Sequence, residues 1–185
     1  EGGEQMSRVR RPRVKLSLSE PEVPLQDMFD VAAAMLEPAG PRQRDQGYLP
    51  GCPVLLRGAA GAGKTWALRQ WLTAVVQRDG GPDGYVPLLV SAKELAWQLQ
   101  TAGRDPSSTH LLRFHIDATF VREEDNAVRL MLLQAFESRR LVLAIDGLDE
   151  AAGLEVALAD FVTKELVPFG LRVLVTSRPQ SVLPV

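Results

Sequence analysis

The stretch Gly58-Ala-Ala-Gly-Ala-Gly-Lys-Thr65 fits the pattern G-x-x-x-x-G-K-[ST]. Glycines at 58, 61 and 63 permit positive φ and close backbone approach. Successive N–H groups can then turn toward phosphate oxygens, and a helix starting after the loop adds partial positive charge. Lys64 brings a point charge for β and γ phosphates, and Thr65 a hydroxyl for Mg²⁺. The candidate cradle is therefore Gly58, Ala59, Ala60, Gly61, Ala62, Gly63, Lys64 and Thr65. The plain alternative, a glycine-rich turn with an incidental lysine, fits poorly between an apolar run and a helical pattern.

Two further stretches carry chemistry. In "LVLAIDGLDE", Leu141 to Glu150, an apolar run closes on Asp146, which could hold Mg²⁺ through a water. Asp149 and Glu150 follow, and one of them could orient or deprotonate an attacking water. Glu150 is the first choice and Asp149 its competitor; alternatively both acids merely open the next helix, where the dipole favours them. In "VLVTSRP", Val173 to Pro179, Thr176, Ser177 and Arg178 close another apolar run. At a strand tip such side chains can reach a γ-phosphate, and Arg178 could report its presence or stabilise charge in transfer. The alternative is a surface arginine capping a loop.

The elements that must position these groups alternate. Four apolar runs read as buried strands: Cys52 to Gly58, Tyr85 to Ala92, Arg140 to Gly147 and Leu171 to Pro179. Between them, helical spacing covers Lys64 to Gln77, Lys93 to Gln100, Ala127 to Glu137 and Ala152 to Val167. Trp71 falls on the apolar face of the first of these and is expected in the core; Trp66 and Trp97 are also read as packing. Glu123, Glu124 and Asp125 should open the helix at Ala127. Strand alternating with helix predicts a parallel α/β sheet with helices on both faces, ligands binding beyond the carboxyl ends of the strands. Upstream, Leu25 to Leu36 reads as a helix with Met28, Phe29, Ala32 and Leu36 on one side. Residues 1 to about 24 read as an extended arm with the basic run "RVRRPRVK", taken as a solvated tail rather than an electrostatic contact.

Composition narrows the function classes. At 185 residues, with 45% hydrophobic and 24% charged residues, the chain suits one globular domain. A net charge of −2 argues against nucleic acid as partner. One cysteine, Cys52, precludes an intrachain disulfide and fits a reducing compartment, so a cytoplasmic location is expected. Cys52 itself reads as a small apolar residue. No apolar run reaches the length of a membrane span, and no signal-peptide core opens the chain. His110 and His115 lack Cys or acid partners at ligand spacing, which argues against zinc. Position 1 is Glu rather than Met, which reads as a piece of a longer protein.

"GAAGAGKT", "LVLAIDGLDE" and "VLVTSRP" together resemble the NACHT group of signal-transducing (STAND-class) P-loop ATPases, the nucleotide-binding module of NOD-like receptors. The D-G-hydrophobic-D-E ending is the most specific element, and "VPLLVSAKEL" adds a weaker match, with Ala92-Lys93 where the family usually has Leu-Arg. The resemblance covers roughly Tyr48 to Pro179. It implies a P-loop NTPase three-layer sandwich of the ASCE type, ATP and ADP with Mg²⁺, and strand order 5-1-4-3-2. That order puts the Arg178 strand between those of Gly58 and Asp146. Position by position it implies Lys64 and Thr65 for phosphate and Mg²⁺, Asp146 for Mg²⁺, Glu150 or Asp149 for hydrolysis, and Arg178 as sensor. No N-K-x-D guanine motif occurs in the sequence.

The sequence ends at Val185, soon after Arg178. The resemblance implies a fifth strand and helical and winged-helix lid domains beyond that point, leaving the strand before Gly58 with an open edge unless something else covers it. The expected organisation is an arm over 1–24, a helix and loop over 25–47, and an incomplete NACHT-like core over 48–185. Three readings follow. One is a slow ATP-hydrolysing switch in a larger signalling or scaffolding protein, with other domains, protein partners or self-association. Another is an interaction domain stabilised by nucleotide without turnover. The third is a P-loop kinase or motor-type hydrolase.

Overall fold

The computed structural model describes residues 13–15, 23–24, 35, 53–79, 84–104 and 110–179. Its strands are β1 (Arg13–Lys15), β2 (Val23–Pro24), β3 (Val54–Arg57), β4 (Val86–Ser91), β5 (Leu141–Asp146) and β6 (Arg172–Ser177). They form one sheet in the order β2-β1-β3-β6-β5-β4. The β3, β6, β5 and β4 strands run parallel, in register from Leu56↔Thr176 through Ala144↔Leu174 to Val90↔Ile145. The Arg178 strand thus lies between those of Gly58 and Asp146, as the implied order requires.

The edge of β3 is not open. β1 pairs with it antiparallel, Val14 opposite Leu56, and β2 pairs in turn with β1. Of the two alternatives for that edge the covered one holds, and Arg13–Lys15 of the basic run lie in a strand rather than in a free tail. A row of unpaired backbone groups attracts any strand within reach, and the N-terminal arm supplies one. Of the helix expected over 25–36, only Met35 is among the described residues; it is buried, and its carbonyl accepts from Arg172 Nε at 2.7 Å. Cys52 and the loop expected over residues 42–51 lie outside them.

Helices cover both faces of the sheet. On one face α1 (Lys64–Asp79) presses Ala67, Leu68, Trp71, Ala74 and Val75 against Val54, Leu56, Val142, Ala144 and Leu174. Trp71 is fully buried, as its helical spacing predicts. The other face carries α2 (Ala92–Ala102), α3 (Leu111–Thr119), α4 (Asn126–Glu137) and α5 (Glu155–Phe161), packed on Leu55, Leu88, Val90, Leu143, Ile145, Val173 and Val175. Glu123–Asp125 form a 3₁₀ turn that leads into α4. Alternate residues of every central strand therefore enter different cores, which is why these strands read as continuous apolar runs.

Local chemistry sets the ends. Ser91 closes β4 and caps α2, its hydroxyl accepting from the Glu94 N–H at 3.4 Å, and Gly103 ends α2 in the left-handed region. α5 continues through a π turn at Val162–Leu166. Pro168 lies two residues past its end, and a ring that cannot donate and crowds the preceding turn accounts for the widened winding.

Two packing expectations fail. Trp66 is 66% exposed and Trp97 64% exposed, because each points away from the buried stripe of its helix. The α3 helix, absent from the sequence reading, is anchored by Leu111, Leu112, His115 and Ile116. His115 Nδ1 meets Gln98 Oε1 of α2 at 2.7 Å, while Gln98 Nε2 donates to Thr119 Oγ1 at 3.3 Å. With the amide oriented this way the imidazole carries its proton on Nδ1. Burial lowers its pKa from 6.5 to about 4.

Candidate functional site

The three motif stretches meet at the carboxyl ends of β3, β5 and β6. The glycine loop leaves β3 and enters α1. Gly61 and Gly63 hold φ of 74° and 81°, which other residues rarely adopt, and a Cβ on Gly58 would stand 3.2 Å from the Ala62 Cβ. The first i→i−4 bond of α1 runs from the Ala67 N–H to the Gly63 carbonyl, so the N–H groups of Lys64, Thr65 and Trp66 have no acceptor within the helix. Lys64 folds back over the loop, donating to the carbonyls of Gly58 at 2.8 Å and Ala59 at 3.0 Å. The loop is thus wound around its own lysine, beside a helix start whose first N–H groups lack acceptors within the helix. That arrangement suits an anion.

At the end of β5, Asp146 is held from two sides. Thr65 Oγ1 donates to Oδ2 at 2.6 Å, joining residues 81 apart in sequence. Thr176 Oγ1 donates to Oδ1, also at 2.6 Å, and accepts the Gly147 N–H at 2.8 Å. Thr176 is fully buried, which corrects the expectation that it reaches out from the strand tip: its hydroxyl turns sideways to the neighbouring strand. Gly147 then takes a left-handed φ of 72°, and a 3₁₀ turn, Leu148–Glu150, carries the next two acids.

Those acids differ sharply. Asp149 is only 11% exposed at its side chain, and its Oδ1 accepts from the Arg178 N–H at 3.0 Å and from Ser177 Oγ at 3.4 Å. Its Oδ2 pairs with Arg178 Nε at 2.9 Å. Glu150 is 53% exposed and meets Arg178 Nη2 at the longer distance of 3.6 Å. Neither acid opens the next helix, which begins at Glu155. Arg178 is accordingly tied to the acids of the β5 loop.

A family model described as the NACHT domain matches residues 52–185. The chain belongs to the NACHT family. Neither the curated proteins nor the solved structures contain a match to it. As a NACHT domain it is a nucleotide-binding P-loop NTPase module, and the four parallel strands flanked by helices agree with that fold. Among the described residues no helix is long and apolar enough to cross a membrane.

In the NACHT module every residue singled out from the motifs lies at one end of the sheet. Thr65 and Asp146 are joined by a hydrogen bond, Lys64 bonds to the carbonyls of its own loop, and Asp149, Glu150 and Arg178 are linked by ion pairs. Sequence reasoning passed over Gly147 and misread Thr176. Nothing in the spacing could have paired Thr176 with Asp146, because only the β5–β6 register sets them side by side. A cluster of three or more His, Cys, Asp or Glu side chains able to hold a metal does not occur among the described residues.

Proposed function

We propose that this NACHT module binds ATP and ADP together with Mg²⁺ and hydrolyses ATP slowly, as a STAND-class conformational switch within a larger signalling or scaffolding protein. The observation that carries the reading is the Thr65–Asp146 hydrogen bond at 2.6 Å. It joins the phosphate loop to the acid of the second motif at one point of the sheet end.

The side chains divide the work. Loop N–H groups from Gly58 to Thr65 and the Lys64 ammonium bind phosphate oxygens. Thr65 gives its proton to Asp146, so its oxygen lone pairs remain for a cation, and one carboxylate beside one hydroxyl suits an ion that keeps several waters. Mg²⁺, when bound, would neutralise charge on the β and γ phosphates. Glu150 is the better base, because Asp149 is engaged by Arg178 and Ser177 while Glu150 is open to solvent. Arg178 would stabilise charge on the transferred group. The division into an arm over 1–24, a helix and loop over 25–47 and a core over 48–185 belongs to this reading. So do lid domains elsewhere in a longer chain, protein partners or self-association, and a cytoplasmic location.

The test is ATP turnover of the full-length protein with Mg²⁺, beside Glu150→Gln and Lys64→Ala. The reading expects turnover to vanish in Glu150→Gln with nucleotide still bound, and binding itself to vanish in Lys64→Ala. Undiminished ATP binding by Lys64→Ala would sink it. A second reading, an interaction domain stabilised by nucleotide without turnover, is favoured by the Arg178–Glu150 contact, in which a cation rests on the candidate base. Bound nucleotide without turnover in the parent would select it.

A further inference from the structure

We infer that Thr176 is a positioning residue for cation binding: its buried hydroxyl sets the rotation of the Asp146 carboxylate and pins the turn that leads to Glu150. The inference rests on the nucleotide-binding reading above.

A hydroxyl has one proton to give and two lone pairs to offer. An amide N–H can only donate, so the 2.8 Å contact from Gly147 N fills a lone pair of Thr176 Oγ1. A carboxylate only accepts, so the proton of Thr176 goes to Asp146 Oδ1, 2.6 Å away. Both directions are thereby determined without choosing a rotamer for the hydrogen. Thr176 is fully buried, and water does not compete for either bond.

The register makes this contact possible. Ile145 and Val175 are partners across β5 and β6, and the following residues, Asp146 and Thr176, project together toward the α1 face. From that face Thr65 holds the other oxygen, Oδ2. With Oδ1 held by Thr176 and Oδ2 by Thr65, the plane of the carboxylate is set before any ligand arrives. Metal affinity depends on such orientation of the groups around a ligand.

The same oxygen holds the Gly147 N–H at the point where the chain takes its left-handed turn, φ 72°. Glu150 folds back over that turn. A Cβ at 147 would lie 3.4 Å from the Glu150 carboxyl carbon. One hydroxyl therefore connects the acid proposed for the cation with the acid proposed as base.

Valine has the shape of threonine without the proton or the lone pairs, and serine keeps both. The experiment compares ATP affinity of the full-length parent, Thr176→Val and Thr176→Ser, each with Mg²⁺ and with EDTA. In the parent, Mg²⁺ tightens binding. In Thr176→Val that gain falls by about tenfold or more, while affinity in EDTA is unchanged, and Thr176→Ser keeps the parental gain. A Val variant with the full Mg²⁺ gain overturns the inference, as does a Ser variant impaired equally with Val, since the methyl group would then be what matters. A parent that gains nothing from Mg²⁺ overturns the nucleotide–cation reading itself, and is recognised before any substitution is made. Should Thr176→Val not fold, amide exchange in the parent decides: slow exchange at Gly147 supports the bond to Thr176, and exchange at the unprotected rate overturns it.

Discussion

Arg178 is fastened to Asp149 at two points: its Nε lies 2.9 Å from Oδ2, and its backbone N–H donates to Oδ1 at 3.0 Å. The β6 tip and the β5 loop are thereby joined through one carboxylate, and the guanidinium is aimed along the acids of the second motif.

The charge on Asp149 therefore matters more for placing Arg178 than for proton transfer. Asp149→Asn keeps an acceptor for the backbone N–H but loses the ion pair. Because Arg178 is half exposed, the expected loss of stability is small, about 1 kcal/mol. Turnover should fall while ADP affinity holds. Urea unfolding and an ADP titration of the same variant check both parts.

Gly147 is strained for any other residue. Its φ is 72°, and a Cβ would stand 3.4 Å from Glu150 Cδ and Oε2. Gly147→Ala is expected to cost about 1–2 kcal/mol from the left-handed backbone alone, because the added Cβ would make only ordinary contact with Glu150. Thermal unfolding checks this, and a variant with the parental midpoint would show that the turn at 147 relaxes without strain.

His115 makes stability depend on pH. Its pKa is lowered by burial from 6.5 to about 4, so the unfolded chain takes up the proton first. The contribution is fully present above pH 6.5 and is lost as pH falls toward 4, amounting to about 3 kcal/mol. Denaturant unfolding of the parent and of His115→Gln across that range isolates it from the carboxylates, which titrate in both. The Gln variant should give the flatter curve.

The β1–β3 pairing covers a strand edge. Removing residues 1–24 would bare the backbone groups of Leu55, Leu56 and Arg57. The shortened chain is expected to associate at concentrations where the parent does not, as light scattering would register. Equal scattering from both would mean that the edge is guarded by something else.

Much of this is legible in the amino-acid sequence. Lys64 and Thr65 stood out through the glycine-loop pattern, Asp146 and Arg178 because each closes an apolar run, and strands buried on both faces leave that mark in sequence. Their meeting at one end follows from parallel strands, which all deliver their carboxyl ends to the same side. The α3 helix was missed because its stripe, Leu111, Leu112, His115 and Ile116, includes a histidine. Counted as polar it breaks the pattern; bonded to Gln98 it belongs to the core. Trp66 and Trp97 misled in the opposite sense, large apolar side chains that face water.

The sequence by itself determined which groups could do chemistry and that α/β alternation would carry them, since motif spacing and hydrophobic period are local properties. Three matters were settled only by the tertiary structure: which acid Arg178 grips, what Thr176 bonds to, and which strand covers β3. Each depends on strand order and register between segments far apart in the chain. Thr176 and Asp146 are separated by 30 residues, and no local pattern carries the information that one gives its proton to the other.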